Sequence, residues 1–329
     1  MKILLLIALI ACYFSLMGCS ATGMFNSFLV SALSGNDSGG SAIFESENYQ
    51  LVEASLPPFI LLIENAVAGS PKDDKLLAKA TELNVFYAMS FLEAKDPEWA
   101  ALHYKQAKKH AWKVMKLRYD IKENDIVGQS ESKIDYLLRK FDKESAPDLL
   151  WLGLSWGLWI NLNKDNSSAV AEFTYVRKIM ERVLELIPNY QNGLPHLFFG
   201  AYYSSSPAMG GNPEKAKEHF DEVLKLTNGE FLTAKVMYAT NYACAIQDRA
   251  LYQHLLEEVI DAPEPKNKSY RMGNAMAKKQ AQLALDKIDE KFISLGTEEH
   301  IEDTVDTESA DTESESHSYF DDENEEDIF

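Results

Sequence analysis

Apolar residues recur every three or four positions through most of the chain, which is the spacing of one face of an α-helix. In one segment this face comprises Val170, Phe173, Val176, Met180, Val183 and Ile187. A second segment repeats the spacing with Leu285, Ile288, Phe292 and Leu295. We find no convincing series of alternating apolar and polar residues, so the pattern predicts an all-α fold.

Two helix starts are marked by a polar cap, a proline and an acid in succession. They are Asp96-Pro97-Glu98 and Asn212-Pro213-Glu214. The cap side chain accepts a hydrogen bond from a free backbone N–H, proline suits the first helical position, and the acid favours the positive end of the helix dipole. Helices are therefore predicted to begin at both places.

Pairs of helices follow the spacing of tetratricopeptide-like repeats, in which small residues on both helices precede an aromatic residue on the second. Ala88, Ala100 and Tyr104 fit this spacing, and Gly200, Ala216 and Phe220 fit it with an inserted loop. Helix hairpins are predicted at residues 83–116, 148–188, 195–228 and 233–263. Further helices are predicted at 51–68 and 131–143, with a capping helix at 269–295. Stacked hairpins of this kind form a curved solenoid with a concave surface.

The N-terminus has the layout of an export signal. Lys2 precedes an apolar run at residues 3–14, which is shorter than the roughly 20 residues that span a membrane. The sequence Leu16-Met17-Gly18-Cys19 resembles the lipobox of bacterial lipoproteins, in which the cysteine becomes the acylated first residue. We therefore predict a signal peptide at 1–18 and a palmitate-type lipid anchor at Cys19. A transmembrane helix is the alternative interpretation.

Composition divides the rest of the chain into a tether, a helical domain and an acidic tail. Residues 19–50 are rich in Ser, Gly and Asn, residues 51–296 carry the helical pattern, and residues 297–329 contain fifteen acids and no Lys or Arg. The tail is therefore predicted to be disordered. Removing its charges from the net charge of −19 leaves −4 for the remainder. This distribution disfavours nucleic-acid binding.

The chain carries no recognisable catalytic, metal or cofactor motif. Cys244 would be the only thiol left after cleavage, and its apolar helical surroundings indicate a small buried hydrophobic residue. His103 and His110 could share a helix face, but two imidazoles without a third ligand favour a packed or solvated pair. Gly210-Gly211 could cradle an anion at a helix start, although an ordinary turn is the preferred interpretation. We therefore predict that the chain is not an enzyme.

Aromatic residues are concentrated in two segments that should be neighbours. The candidate ligand-channel residues are Trp151, Trp156, Trp159, Phe198, Phe199, Tyr202 and Tyr203. Gly153, Gly157 and Gly200 lie among them. One interpretation is a core in which small residues face large rings. The other is that some rings line a groove or channel for an apolar or amphipathic ligand. Both can hold for different rings.

Several segments resemble the TatT family, the T-components of tripartite ATP-independent periplasmic (TRAP) transporters. The most specific are Asn192-Gly193-Leu194-Pro195-His196-Leu197-Phe198-Phe199-Gly200 and the stretch from Gly210 to Phe220. Supporting segments are 31–35, 56–59, 236–245, 247–249 and 255–259. The similarity covers roughly residues 24–295, and the acidic tail lies outside it.

The resemblance implies a periplasm-facing, membrane-anchored lipoprotein with tetratricopeptide-like helices that acts as a transport accessory. It also implies a homotrimer that docks a periplasmic solute-binding protein. Each subunit would contain a channel for a hydrophobic or amphipathic carboxylate-type ligand, although no family motif identifies the channel residues. The alternative function is a general envelope scaffold whose groove binds a peptide or an assembly factor.

Overall fold

The computed structural model describes residues 42–292, which contain helices and no strand. The predicted signal peptide at 1–18, Cys19, the tether up to residue 41 and the acidic tail lie outside the described residues. The α-helices are α1 Ala42–Glu45, α2 Tyr49–Gly69, α3 Asp74–Tyr87, α4 Pro97–Tyr119, α5 Glu131–Leu138, α6 Ala146–Asn161, α7 Ser167–Ala171, α8 Phe173–Leu186, α9 Tyr190–Tyr203, α10 Pro213–Leu226, α11 Leu232–Met237, α12 Arg249–Asp261, α13 Arg271–Leu285 and α14 Ile288–Lys291. Single π-helical turns at Ala88–Leu92 and Tyr238–Ala243 extend α3 and α11. The all-α prediction is confirmed for the described residues.

The two predicted cap-and-proline starts are confirmed at α4 and α10. The Asp96 carboxylate accepts a hydrogen bond from the backbone N–H of Trp99 at 2.9 Å. The side-chain oxygen of Asn212 accepts one from the backbone N–H of Lys215 at 3.0 Å. Each cap satisfies a backbone donor that the helix itself leaves free.

Four helical segments differ from their predicted bounds. The helix predicted at 131–143 ends at Leu138. The first hairpin begins at Asp74 rather than residue 83, because the Asp73 side chain caps α3. The second helix of the next hairpin is divided into α7 and α8. The predicted helix at 269–295 is interrupted after Leu285, so its continuity was wrongly predicted. This break is followed by Phe292, whose ring packs edge-on against Tyr252 at 5.1 Å between centroids.

The small and aromatic residues of the repeat spacing pack against each other. Ala88, Ala100 and Tyr104 are all fully buried. A Cβ atom on Gly200 would lie only 2.9 Å from the ring of Phe220, so this glycine permits the close approach of α9 and α10. These contacts agree with the packing reason for the spacing, and the tetratricopeptide-like solenoid stays a prediction.

The core consists of three hydrophobic clusters along the chain. Cluster 1 is built from α2, α3 and α4, cluster 2 from α4, α5, α6 and α8 with Phe199, and cluster 3 from α9 through α13. Helix α13 belongs to two of them, because Met272 lies in cluster 1 whereas Ala277 and Ala281 lie in cluster 3. The helix predicted only to cap the C-terminal end therefore also packs against the N-terminal helices.

Polar contacts support the same junction between the first and last helices. The guanidinium of Arg271 lies 3.6 Å from the Glu47 carboxylate. The Lys279 ammonium lies over the ring of Tyr49, 5.5 Å from its centroid. Helix α13 therefore contacts α1 and α2 at the N-terminal end as well as α11 and α12 at the C-terminal end.

Candidate functional site

Four of the seven channel candidates form one aromatic group on α9. The rings of Tyr202 and Tyr203 lie 4.9 Å apart, and those of Phe198 and Phe199 lie 5.2 Å apart. Phe173 of α8 stacks on Phe198 at 6.2 Å, so the group continues onto the neighbouring helix. The sequence predicted that the two aromatic segments would be neighbours, and Gly157 of α6 does lie against the Phe198 ring of α9.

Trp156 lies in a separate group inside cluster 2. Its ring contacts Trp112 at 5.6 Å and Tyr175 at 6.1 Å, and its indole N–H donates to the Glu172 carboxylate at 2.8 Å. The Lys108 ammonium lies 4.4 Å from the ring centroid, in the position of a cation–π contact. Trp156 is fully buried and its polar atom is satisfied. These contacts are those of a core residue.

Trp151 and Trp159 differ from Trp156 because they lie between two clusters. Both are half-buried and pack against cluster 1 as well as cluster 2. The indole N–H of Trp151 is buried and has no hydrogen-bond partner. An unpaired buried donor carries a desolvation cost of about 1–3 kcal/mol, which an acceptor on a bound molecule would remove. Trp151 is therefore the candidate with the clearest capacity to bind a polar group.

The glycines near these rings are opposite large side chains, as the packing interpretation requires. A Cβ atom on Gly157 would lie 3.3 Å from the Phe198 ring, and one on Gly153 would lie 2.5 Å from the Met180 sulfur. Small residues therefore permit the close packing of α6 with α8 and α9. Of the seven candidates, Trp156 and Phe199 are buried and the others are half-buried. The channel role of all seven stays a prediction.

A polar cluster that the sequence did not predict links α2, α3 and α4. The Glu64 carboxylate accepts hydrogen bonds from Gln106 Nε2 at 2.9 Å and Asn84 Nδ2 at 3.1 Å, and contacts His110 Nε2 at 2.9 Å. His103 Nδ1 lies 2.7 Å from Asn84 Oδ1. Burial raises the pKa of Glu64, but the hydrogen bonds and the His110 charge outweigh it and lower the pKa overall. Burial lowers the pKa of His103.

This cluster explains the two histidines that share α4. Both imidazoles hold polar partners on neighbouring helices, which agrees with a packed pair rather than a metal site. Within residues 42–292, no group of three or more His, Cys, Asp or Glu side chains is placed to hold a metal ion. Glu64 could not be identified from spacing, because it lies 46 positions from His110.

A second histidine pair joins α9 and α10. The Nδ1 atoms of His196 and His219 lie 2.9 Å apart, and the His219 ring stacks on Tyr203 at 5.7 Å. Burial and the adjacent charges of His196 and Lys215 lower the pKa of His219 to about 4. Burial also lowers the pKa of His196, and Glu222 partly opposes this effect. Both rings are therefore neutral at pH 7.

The glycine pair before α10 forms a turn. The backbone N–H of Gly210 donates to Pro207 O at 3.0 Å, that of Gly211 to Ser206 O at 3.0 Å, and that of Asn212 to Tyr203 O at 2.8 Å. Because these donors are already satisfied, they are not free to cradle an anion. The preferred interpretation of an ordinary turn is confirmed.

Cys244 is half-buried and packs against cluster 3. This location agrees with a small apolar side chain rather than with an exposed reactive thiol.

Comparison with known proteins gives a relative and a family. The relative is a protein of Treponema pallidum (strain Nichols) described as uncharacterized, which is 21% identical over 231 residues, or 66% of this chain and 72% of the relative. The family model of the TRAP transporter T-component matches residues 45–292. This range covers nearly all of the described helices and includes the segments whose resemblance to TatT was noted above, except residues 31–35. The chain therefore belongs to the TRAP transporter T-component family, which makes it an accessory component of a transporter.

Proposed function

We propose that the chain is a non-enzymatic, periplasm-facing lipoprotein that docks a solute-binding protein of a TRAP transporter. In this proposal Cys19 carries the lipid anchor and three copies assemble as a homotrimer. Each subunit passes a hydrophobic or amphipathic ligand through an internal channel to or from its partner. Family membership supports the transport role. The contact of α13 with α2 and the unpaired N–H of Trp151 support the binding of a ligand.

The contact of α13 with the N-terminal helices is the observation that carries the proposal. Met272 of α13 lies in the cluster formed by α2, α3 and α4, so the last hairpins are joined to the first. A closed arrangement of paired helices can surround a passage, whereas a solenoid with free ends offers an open groove. In this proposal the contact of α13 with α2 closes the body around a passage, which suits the transfer of a small ligand better than the binding of an extended peptide.

Trp151 provides the polar group that an amphipathic ligand requires. Its ring is half-buried between clusters 1 and 2, and its buried N–H is without a partner. A carboxylate would accept this hydrogen bond while the acyl or aromatic part of the ligand contacts neighbouring apolar side chains.

Docking is tested with the mature protein and the purified solute-binding protein of the same transporter. Native mass spectrometry should detect a trimer of the chain with the solute-binding protein bound. A monomer that binds no solute-binding protein at tens of micromolar would contradict the docking role. Copurification of an extended peptide instead would favour the envelope-scaffold alternative.

The ligand is tested by replacing Trp151 with phenylalanine, which keeps a ring and removes the N–H. A fatty-acid probe such as palmitate should bind roughly ten- to a hundredfold more weakly, as expected for a lost hydrogen bond to a charged group. Trp159→Phe is the matched control, because Trp159, unlike Trp151, has no buried indole N–H that lacks a hydrogen-bond partner. Equal affinity of the wild-type protein and both variants would refute a ligand at Trp151.

A further inference from the structure

Helix α4 concentrates positive charge in a chain that is acidic as a whole. Its residues Pro97–Tyr119 include six Lys or Arg and a single acid, Glu98, which gives the helix a net charge of +5. Residues 1–296 together carry −4, so the positive charge of α4 is outweighed by acids elsewhere in the chain. The fold determines which of these cations are paired and which are left exposed.

Three of the lysines form a row on the solvent side of α4. Lys105, Lys109 and Lys113 recur every four positions, which places them on one side of the helix, and we call them the lysine row. Lys105 and Lys109 are exposed and Lys113 is half-buried, whereas Ala100 and Tyr104 on the opposite side are fully buried. The lysine row therefore faces away from the core that α4 forms with α3 and α6.

The ammonium groups of the lysine row form no ion pair or hydrogen bond with any side chain among residues 42–292. Two other lysines of α4 differ in this respect, because Lys108 pairs with Glu123 and Lys116 pairs with Asp120. Like charges four positions apart on a helix repel each other and slightly destabilise it. The row is thus mildly unfavourable for the helix itself, and its charge is available to an external anionic partner.

Two exposed apolar residues continue this side of the helix toward the start of α4. Trp99 is 44% exposed and Leu102 is 64% exposed, and both lie within two helical turns of Lys105. The Trp99 ring contacts Tyr87 at 6.0 Å and His103 at 5.7 Å, which holds it against the protein while leaving part of it in solvent. We call Trp99, Leu102 and the lysine row the basic α4 face.

We propose that the basic α4 face binds the surface of an anionic phospholipid membrane. Lysines beside an exposed tryptophan and leucine are typical of helices that lie along a membrane, because the cations attract lipid phosphates and the apolar groups enter the headgroup region. From Lys105 to Lys113 the row extends about 12 Å along α4, so the three ammonium groups can meet different headgroups.

The residue types favour a membrane over an acidic protein as the partner. Lysine is a flexible, strongly hydrated point charge and is depleted in protein–protein interfaces, whereas arginine is enriched there because its planar group binds carboxylates in a fixed geometry. All three cations of the row are lysines, which suits mobile phosphates. The arginine of α4, Arg118, instead pairs with Asp74 and Asp148 of neighbouring helices.

The acidity of the whole chain does not prevent this contact. At physiological salt the Debye length is about 8 Å, so acids farther than that from the lipid surface are largely screened. The acid of α4 itself, Glu98, lies in its first turn, before the lysine row. The proposal also fixes an orientation, because α4 would lie along the membrane plane with α3 and α6 on the side away from the lipid.

Vesicle binding tests the inference, which rests neither on the proposed transport role nor on the lipid anchor. The chain from residue 19 onward carries Cys19→Ala, so that no acyl chain contributes, and we call it the parent chain. It should bind vesicles of phosphatidylglycerol and phosphatidylcholine in equal parts, but not vesicles of phosphatidylcholine alone. Lys105→Gln, Lys109→Gln and Lys113→Gln together should weaken binding roughly hundredfold, at about fivefold for each lysine near an anionic surface.

A variant with the same charge change elsewhere is the matched control. Lys266, Lys268 and Lys287 are exposed and lie after α12. Replacing these three lysines with glutamine should leave binding to the anionic vesicles unchanged. Equal loss of binding in the two triple variants, equal binding of the parent chain to both kinds of vesicle, or no binding to either would overturn the inference. Binding of an acidic protein through the lysine row, without binding to vesicles, would overturn it in favour of a protein partner.

Tryptophan fluorescence provides a second measurement, because Trp99 is exposed and the other four tryptophans are buried or half-buried. Anionic vesicles with brominated acyl chains should quench the fluorescence of the parent chain, since bromine quenches a tryptophan that it approaches. Trp99→Phe should remove most of this quenching, whereas the control Trp112→Phe, which replaces a buried ring, should retain it. Quenching that persists in Trp99→Phe, or no quenching of the parent chain, would overturn the inference.

Discussion

The junction made by α13 can be tested through Met272, which is the residue of this helix buried in cluster 1. Met272 is 2% exposed, and the cluster around it contains Val52 and Leu56 of α2. Met272→Ala removes a buried apolar side chain where two distant parts of the chain meet. We expect the variant to fold with α13 less firmly attached to α2.

Replacing a buried methionine with alanine typically costs about 2–5 kcal/mol through lost burial and a residual cavity. The half-buried Met276 also packs against cluster 1, and its flexible side chain can fill part of the space. We therefore expect the free energy of unfolding to fall by about 2–3 kcal/mol. Met209→Ala is the control, because Met209 is 52% exposed and its loss should change stability by less than about 0.5 kcal/mol.

Urea unfolding measures the stability change, and hydrogen exchange locates it. Exchange should increase in α2 and α13 of the Met272→Ala variant more than in α6 and α8. A loss below about 0.5 kcal/mol, equal to that of the control, would show that Met272 is not a structural contact between the ends. Unchanged exchange in α2 would refute the contact between α13 and α2.

Three further outcomes follow from single residues. The pKa of His219 is lowered to about 4 in the folded protein, so as the pH falls the unfolded chain takes up this proton before the folded chain does. The contribution of neutral His219 to the free energy of unfolding should be fully present above about pH 6.5. It should fall by about 1–2 kcal/mol toward pH 4, after allowance for solvent screening. His219→Asn should flatten that dependence in urea titrations. Gly200→Val should cost about 2–3 kcal/mol because its Cβ meets Phe220, whereas Gly69→Ala, with open space around it, should change stability little. Cys19→Ala should abolish incorporation of labelled palmitate, and retained label would refute the anchor.

The sequence was most informative where a structural feature depends on neighbours within a few positions. The caps of Asp96 and Asn212 need only the backbone N–H three residues ahead, so their residue types predicted both helix starts. The pairing of Gly200 with Phe220 followed from repeat spacing, because two adjacent helices fix the distance between their side chains. The acidic tail at residues 297–329 lies outside the described residues and stays a prediction.

Tertiary structure decided what depends on residues far apart in the chain. Trp151 and Trp156 lie five positions apart on one helix and look alike in the sequence, yet only Trp156 finds a partner for its N–H in Glu172. Glu64 meets His110 only because α2 and α4 flank α3. Local pattern likewise predicted a helix at 269–295, but neither its interruption after Leu285 nor the packing of α13 against α2. Periodicity specifies which face of a helix is apolar, whereas the fold determines what covers that face.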